Sequence, residues 1–160
     1  MQNPNDARTA TGTAISELIL TVFRLNGRFL AAGDRLVGKF GLTSARWQVL
    51  GAVGMSPTPE TVARHARNMG LQRQGVNRVV NELAAEGFLE FQDNPHHRSA
   101  RLLVTTAKGN SALNAAMRAQ APWVNDLGEG LDAKTIKAVH KLLKELQHRL
   151  ERQAEQNGAE

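Results

Sequence analysis

At 160 residues the chain is one domain's worth of polypeptide, long enough to bury a core of its own. Its 20 Lys and Arg against 15 Asp and Glu leave a net charge of +5 and a pI near 10.2, which favours an acidic partner, nucleic acid or an anionic surface, without choosing between them. The absence of cysteine excludes disulfides, thiolate metal sites and cysteine redox sensing. No apolar run approaches membrane-spanning length and the first dozen residues lack a secretory apolar region, so a cytoplasmic protein with no membrane partner is expected.

Residues 1–13 are polar, with Pro4 and Gly12, and are expected to form a flexible N-terminal tail. A long helix is predicted over 14–40. Ile15, Leu18, Val22, Leu25 and Phe29 alternate three and four apart, and Ile19, Phe23 and Leu30 widen the stripe until it needs cover on more than one side. Gly27 and Gly33 weaken this helix and predict a bend near one of them. Gly41 closes it, and Thr43 or Ser44 caps the next, which carries Trp47, Val49, Leu50 and Val53. Gly54 to Pro57 reads as a loop.

Thr58-Pro59-Glu60-Thr61 is a helix start: Thr58 as cap, Pro59 in the first turn, Glu60 at the positive helix end. Gly70 breaks this helix, a second is predicted over 71–86, and Gly87 stops it. Leu71, Val76, Val79, Val80 and Leu83 supply its apolar residues. Its other face carries Gln72, Arg73, Gln74, Asn77, Arg78 and Asn81, side chains whose donors and acceptors match base edges. Between Thr61 and Asn81 there is no Asp or Glu, while Arg64, Arg67, Arg73, Arg78 and His65 are present. Charge of one sign beside amide side chains points to a polyanion. Two short apolar runs, 88–92 and 101–105, flank a turn-rich tip at 93–100 that holds His96, His97 and Arg98, with Arg101 just beyond. An Arg on such a tip suits a narrow minor groove. Helix, turn, helix and hairpin in this order make a winged helix-turn-helix.

Thr106 caps a helix through Leu113, Ala116 and Met117 to about Gln120, where Pro122 should interrupt or kink it. Trp123, Val124 and Leu127 resume the pattern before Gly128 and Gly130. Asp132 then caps a last helix whose Ile136, Val139, Leu143, Leu146 and Leu150 form a seam for another helix. His140 and His148 stand too far apart for the i, i+4 metal pair. The terminal helices carry more apolar face than one small domain covers, which points to a two-fold homodimer.

Several stretches together resemble the MarR family of multiple antibiotic resistance regulators. They are Leu42-Thr43-Ser44-Ala45-Arg46-Trp47-Gln48-Val49-Leu50, Val76-Asn77-Arg78-Val79-Val80-Asn81-Glu82-Leu83 followed by Glu86-Gly87-Phe88-Leu89, and Asn94-Pro95-His96-His97-Arg98 through Leu103-Val104-Thr105-Thr106-Ala107-Lys108-Gly109. The resemblance implies a homodimeric double-stranded-DNA-binding regulator, a repressor, released from its operator by a small aromatic or phenolic effector. Three positions depart from the family pattern: His97 stands where an Asp usually orients the wing Arg, Phe91 where a basic residue is common, and Gly75 where Ser or Thr is common. Trp47 has two readings at this point, a core residue or the wall of a pocket for an aromatic ligand.

The expected architecture is mainly α with a small β-hairpin. A winged helix-turn-helix core at 41–106 sits with dimerisation helices at 14–40 and 107–153 and a frayed tail at 154–160. The expected DNA-binding residues are Arg64, Gln72, Arg73, Gln74, Asn77, Arg78, His96, His97, Arg98 and Arg101. An enzyme is not expected: no Ser-His-Asp set, cysteine nucleophile or phosphate-binding glycine loop can be placed, and His96-His97 has no firm third ligand for a metal. No cofactor is expected either. The competing reading is a winged-helix protein-interaction module without DNA-binding activity, because fold alone does not fix function.

Overall fold

A computed structural model describes residues 7–95, 97 and 99–157. His96 and Arg98 lie outside the described residues. The elements are α1 (Ala10–Val37), a 3-10 turn (Gly38–Phe40), α2 (Ser44–Gly54), β1 (Glu60–Thr61), α3 (Val62–Asn68), α4 (Arg73–Ala85), β2 (Leu89–Gln92), β3 (Leu102–Thr105), α5 (Ala107–Gly128) and α6 (Ala133–Asn157).

Helix α1 begins four residues before the predicted start, because Thr9 caps it: its side chain accepts the Gly12 N–H at 3.0 Å. It runs unbroken through Gly27 and Gly33, so neither glycine interrupts it. Gly33 instead lets α2 approach. It is buried, and a Cβ there would collide with the Ser44 hydroxyl. That hydroxyl donates to the Leu30 carbonyl at 2.6 Å, and the Ser44 N–H donates to Asp34 Oδ1 at 2.6 Å. Two hydrogen bonds thus fasten the start of α2 to α1. Thr43, the other candidate, is the cap. Gly41, at φ 74°, reverses the chain between these helices in a conformation that disfavours side chains.

The core forms where the faces of α2, α4, α5 and the sheet meet. Val76, Val79, Val80 and Leu83 of α4 are all buried, as their spacing predicts, and pack with Leu50, Val53, Leu89, Leu103 and Leu113. Leu71 departs from that prediction. It precedes α4 and remains half exposed.

The hairpin pairs Leu89 with Thr105 and Gln92 with Leu102. A third strand joins it: Glu60 pairs with Leu103 and Thr61 with Leu102, giving the antiparallel order β1-β3-β2. Glu60 is therefore not in the first turn of a helix capped by Thr58. Thr61 caps α3, accepting from the Arg64 N–H at 3.3 Å. The cause is tertiary, since the outer edge of β3 needs partners for its backbone groups and these two residues lie along it.

Thr106 joins the hairpin to α5. Its hydroxyl donates to the Gly87 carbonyl at 2.7 Å and accepts the Gly109 N–H at 3.0 Å. Helix α5 continues past Pro122 to Gly128, so the proline removes one hydrogen bond without ending the helix. At α6, Asp132 Oδ2 accepts the Thr135 hydroxyl at 2.7 Å and its N–H at 2.8 Å, and these bonds hold the carboxyl below its usual range. The predicted seam of α6 is there, but Ile136, Val139, Leu143 and Leu150 are exposed. So are Ile19, Leu20, Val22, Phe23, Leu25 and Phe29 on α1.

The chain divides into two compact units, Met1–Gln120, which holds the helix-turn-helix and its sheet, and Ala121–Glu160, which holds the end of α5 and α6. Among the described residues, no helix is long and apolar enough to cross a membrane.

Candidate nucleic-acid interface

Helix α4 separates its two jobs by face. While the valines and Leu83 are buried, Arg73, Gln74, Asn77, Arg78 and Asn81 are exposed. Arg73, Asn77 and Asn81 border a concavity of about 260 Å³ whose other walls come from Thr61, Phe91, Ser99 and Arg101. The start of α3, the outer face of α4 and the base of the hairpin thus converge on one polar hollow.

Phe91 carries no charge of its own, yet the Arg101 guanidinium lies 4.2 Å from its ring centroid. The cation that the family pattern expects near position 91 arrives from the residue just before β3, held by the ring quadrupole. His97 is hydrogen-bonded to its neighbours among the described residues of the hairpin tip. Asn94 Nδ2 donates to the Ala100 carbonyl at 2.9 Å, the Ala100 N–H donates to the His97 carbonyl at 3.0 Å, and the Ser99 hydroxyl lies 3.0 Å from His97 Nδ1.

Not every predicted residue joins this surface on equal terms. Gln72 is the α4 N-cap residue and borders a separate recess behind the helix, with Leu71, Gly75 and Val76. Gly75 has open space where a Cβ would stand. The stretch from Thr61 to Asn81 lacks acidic residues, but the two that flank it fold back. Glu82 Oε1 accepts from Arg78 Nη1 at 2.8 Å, and Glu60 Oε1 lies 3.5 Å from Arg64 Nε. Glu60 also accepts from Asn68 Nδ2 at 3.1 Å.

His65 is a correction to the basic surface. It is 2% exposed, with Nε2 lacking a hydrogen-bond partner among the described residues and Nδ1 3.8 Å from Glu60. Burial pushes its pKa down and Glu60 opposes this only in part, so it adds no positive charge at neutral pH.

A second cationic cluster escaped the sequence reading. Arg46 Nη2 meets Glu86 Oε2 at 2.6 Å, and Lys108 Nζ donates to the Glu86 carbonyl at 2.6 Å. Both cations lie over the Phe88 ring, at 5.5 and 4.4 Å from its centroid. The Arg46 hydrogen bond, more than the two positive charges, holds the Glu86 carboxyl below its usual range. These cations clamp α2 and α5 to the end of α4. Their one sequence signal is Arg46 inside an otherwise uncharged stretch.

Trp47 lies between the core and an open space. It packs against the core and also walls a cavity of about 600 Å³ with Gln48, Met55, Met69, Leu113 and Met117. Among the described residues there is no cluster of three His, Asp or Glu that could hold a metal.

A helix-turn-helix with a three-stranded wing and a basic, amide-rich outer helix defines the class of winged-helix DNA-binding proteins. A profile described as the MarR family matches residues 40–98. An uncharacterized protein of Mycobacterium tuberculosis, Rv2011c, is 36% identical over 132 residues, covering 82% of this chain and 91% of its own. The chain belongs to the MarR family and is a DNA-binding transcriptional regulator. Solved structures share its fold. The MarR/EmrR family regulator of Acinetobacter sp. ADP1 aligns with a TM-score of 0.76 at 17% identity, covering 86% of this chain and 96% of that one. The M. tuberculosis regulator MosR in complex with DNA gives 0.70 at 19% identity, over 82% and 96%. CouR of Rhodococcus jostii RHA1, bound to p-coumaroyl-CoA, gives 0.72 at 19% identity, over 81% and 90%.

Proposed function

We propose that the protein is a homodimeric, sequence-specific repressor that reads a pseudo-palindromic operator and is released by a small molecule. Helix α4 enters the major groove and the hairpin tip at 93–100, with His96, His97 and Arg98, enters the adjacent minor groove. The observation that carries this reading is the hollow shared by Arg73, Asn77, Asn81 and Arg101, which joins the base-reading helix to the root of the wing. Arg and Asn there offer bidentate partners for guanine and adenine. Arg64 and Arg78 flank it as phosphate contacts, and Gln72 and Gln74 stand at the N-terminal end of the reading helix.

The dimer is built from 14–40 and 107–153. Support comes from six exposed large apolar residues on α1 and the exposed seam of α6, surfaces that a monomer leaves in water. Two reading heads held about one helical turn apart, roughly 34–36 Å, match a palindrome. The effector reading is supported by the cavity beside Trp47, and by the p-coumaroyl-CoA bound to a relative of the same fold.

Selection from a random pool of duplex DNA tests the proposal. It should return a palindromic motif whose binding weakens steeply with salt, because each neutralised phosphate releases counterions. Arg73→Ala should relax preference at particular bases, whereas Arg101→Ala should weaken all sequences alike and flatten the salt slope by about one unit. Failure to bind any duplex at low salt would return the chain to the protein-interaction reading.

A further inference from the structure

The cavity beside Trp47 differs in chemistry from the surface around it. The chain has 35 charged residues, 20 basic and 15 acidic, yet among the described residues none of them borders this space. Its walls are one indole, the thioethers of Met55, Met69 and Met117, and the isobutyl group of Leu113, while Gly51 and Ala52 contribute no bulk. The chain has four methionines, Met1 and these three. Thioethers adapt to irregular apolar shapes and make favourable contacts with aromatic rings. The polar groups are neutral as well: the side-chain amides of Gln48 and Gln120. At about 600 Å³ the space falls within the range of roughly 300–1,000 Å³ that small-molecule sites occupy.

A carboxylate held against these walls would give up part of its water and meet no cation of the lining in return, which is unfavourable. A flat apolar molecule would lose little hydration, stack on Trp47 and touch the three thioethers, with one or two hydrogen bonds from the amides. We propose that the cavity takes a neutral, largely apolar aromatic molecule and discriminates against aromatic acids of the same shape. This inference deepens the effector reading above and rests on it.

The cavity is placed to affect DNA binding. Met69 caps the end of α3, and the turn that follows, Gly70 at φ 66° and Leu71 donating its N–H to the Ala66 carbonyl at 2.9 Å, sets α4 against α3. Gln48 borders both this cavity and the recess behind α4 that Gln72, Gly75 and Val76 line. An occupant therefore reaches the turn through Met69 and the back of α4 through one amide.

The test uses the full chain with Trp123→Phe, which leaves Trp47 as the sole tryptophan. N-phenyl-1-naphthylamine and 1-anilinonaphthalene-8-sulfonate share their rings and differ by one negative charge. Each is titrated against Trp47 fluorescence without DNA, and only the binding that Ala52→Phe removes is counted, since a basic surface attracts the sulfonate elsewhere. The folding of Ala52→Phe is checked by circular dichroism, and Met117→Ala, which should loosen neutral-probe binding severalfold, serves as a second variant. The neutral probe should bind at least tenfold tighter than the sulfonate, and Gln48→Lys should reverse that preference. Equal or tighter cavity binding of the sulfonate, or no cavity binding of either probe, overturns the inference. Affinity for duplex DNA is then measured with and without saturating neutral probe. An unchanged affinity there strikes the effector reading alone, because occupancy and charge preference have been read without DNA.

Discussion

Glu82→Gln tests whether α4 faces a polyanion. Arg78 Nη1 and Glu82 Oε1 are 2.8 Å apart, and their side chains are 72% and 42% exposed. The free protein therefore cancels one of its own cations on the face proposed to meet DNA. Removing the carboxylate has two separable effects. A phosphate about 8 Å from the lost charge is relieved of roughly 0.5 kcal/mol of repulsion at the dielectric constant of water, or about a twofold gain in affinity. Arg78, released, can neutralise a phosphate of its own, which steepens the log K against log salt slope by about 0.9. The cost to the fold is small. An exposed i, i+4 pair contributes about 0.3–0.5 kcal/mol, and Arg preceding Glu is the weaker order. Fluorescence anisotropy on a labelled duplex between about 50 and 300 mM salt measures both effects. Glu82→Gln should bind about two- to fivefold tighter at the low end and converge with the parent at the high end, as screening shortens. Adding Arg78→Ala should abolish the gain in slope. Unchanged affinity and slope in Glu82→Gln would refute the placement of this face against DNA.

Other substitutions report on the frame that holds this face. A Cβ at Gly109 would meet the Phe88 carbonyl and stand 3.4 Å from Leu50 Cδ1; backbone cannot yield, so Gly109→Ala should cost about 1–3 kcal/mol in urea unfolding. Gly27→Ala, in open helix, should stabilise by up to about 1 kcal/mol. His65 has a folded pKa below its ordinary 6.5, so the unfolded chain takes up the proton first. Stability is full above about pH 6.5 and falls as pH drops below it, and thermal melting from about pH 7.5 to 5 should show a decline that His65→Leu flattens. Phe23, 69% exposed on α1, should report on assembly: Phe23→Glu should sediment as a monomer at micromolar concentration where the parent sediments as a dimer. A monomeric parent would contradict the dimer.

The sequence by itself determined what depends on near neighbours along the chain. The Val76, Val79, Val80 and Leu83 spacing specifies a buried face because helix geometry brings residues three and four apart together. Gly41 and Asp132 punctuate their helices through their own backbone or side-chain reach, and the hairpin follows from two short runs around a turn. Gly33 shows the limit. Its composition suggests a bend, but its meaning is a close approach by Ser44, and nothing local signals that. Tertiary structure alone decided that Glu60 and Thr61 form a strand, because their partners Leu103 and Leu102 lie more than forty residues away. It turned His65 inward, away from the basic face its neighbours share. It also brought Arg46, Glu86, Phe88 and Lys108 into one clamp, and it stacked Arg101 on Phe91. The deciding force is backbone pairing for the strand, burial for His65, and contacts of charged groups for the rest, all between separate segments, which sequence periodicity does not record and folding alone supplies.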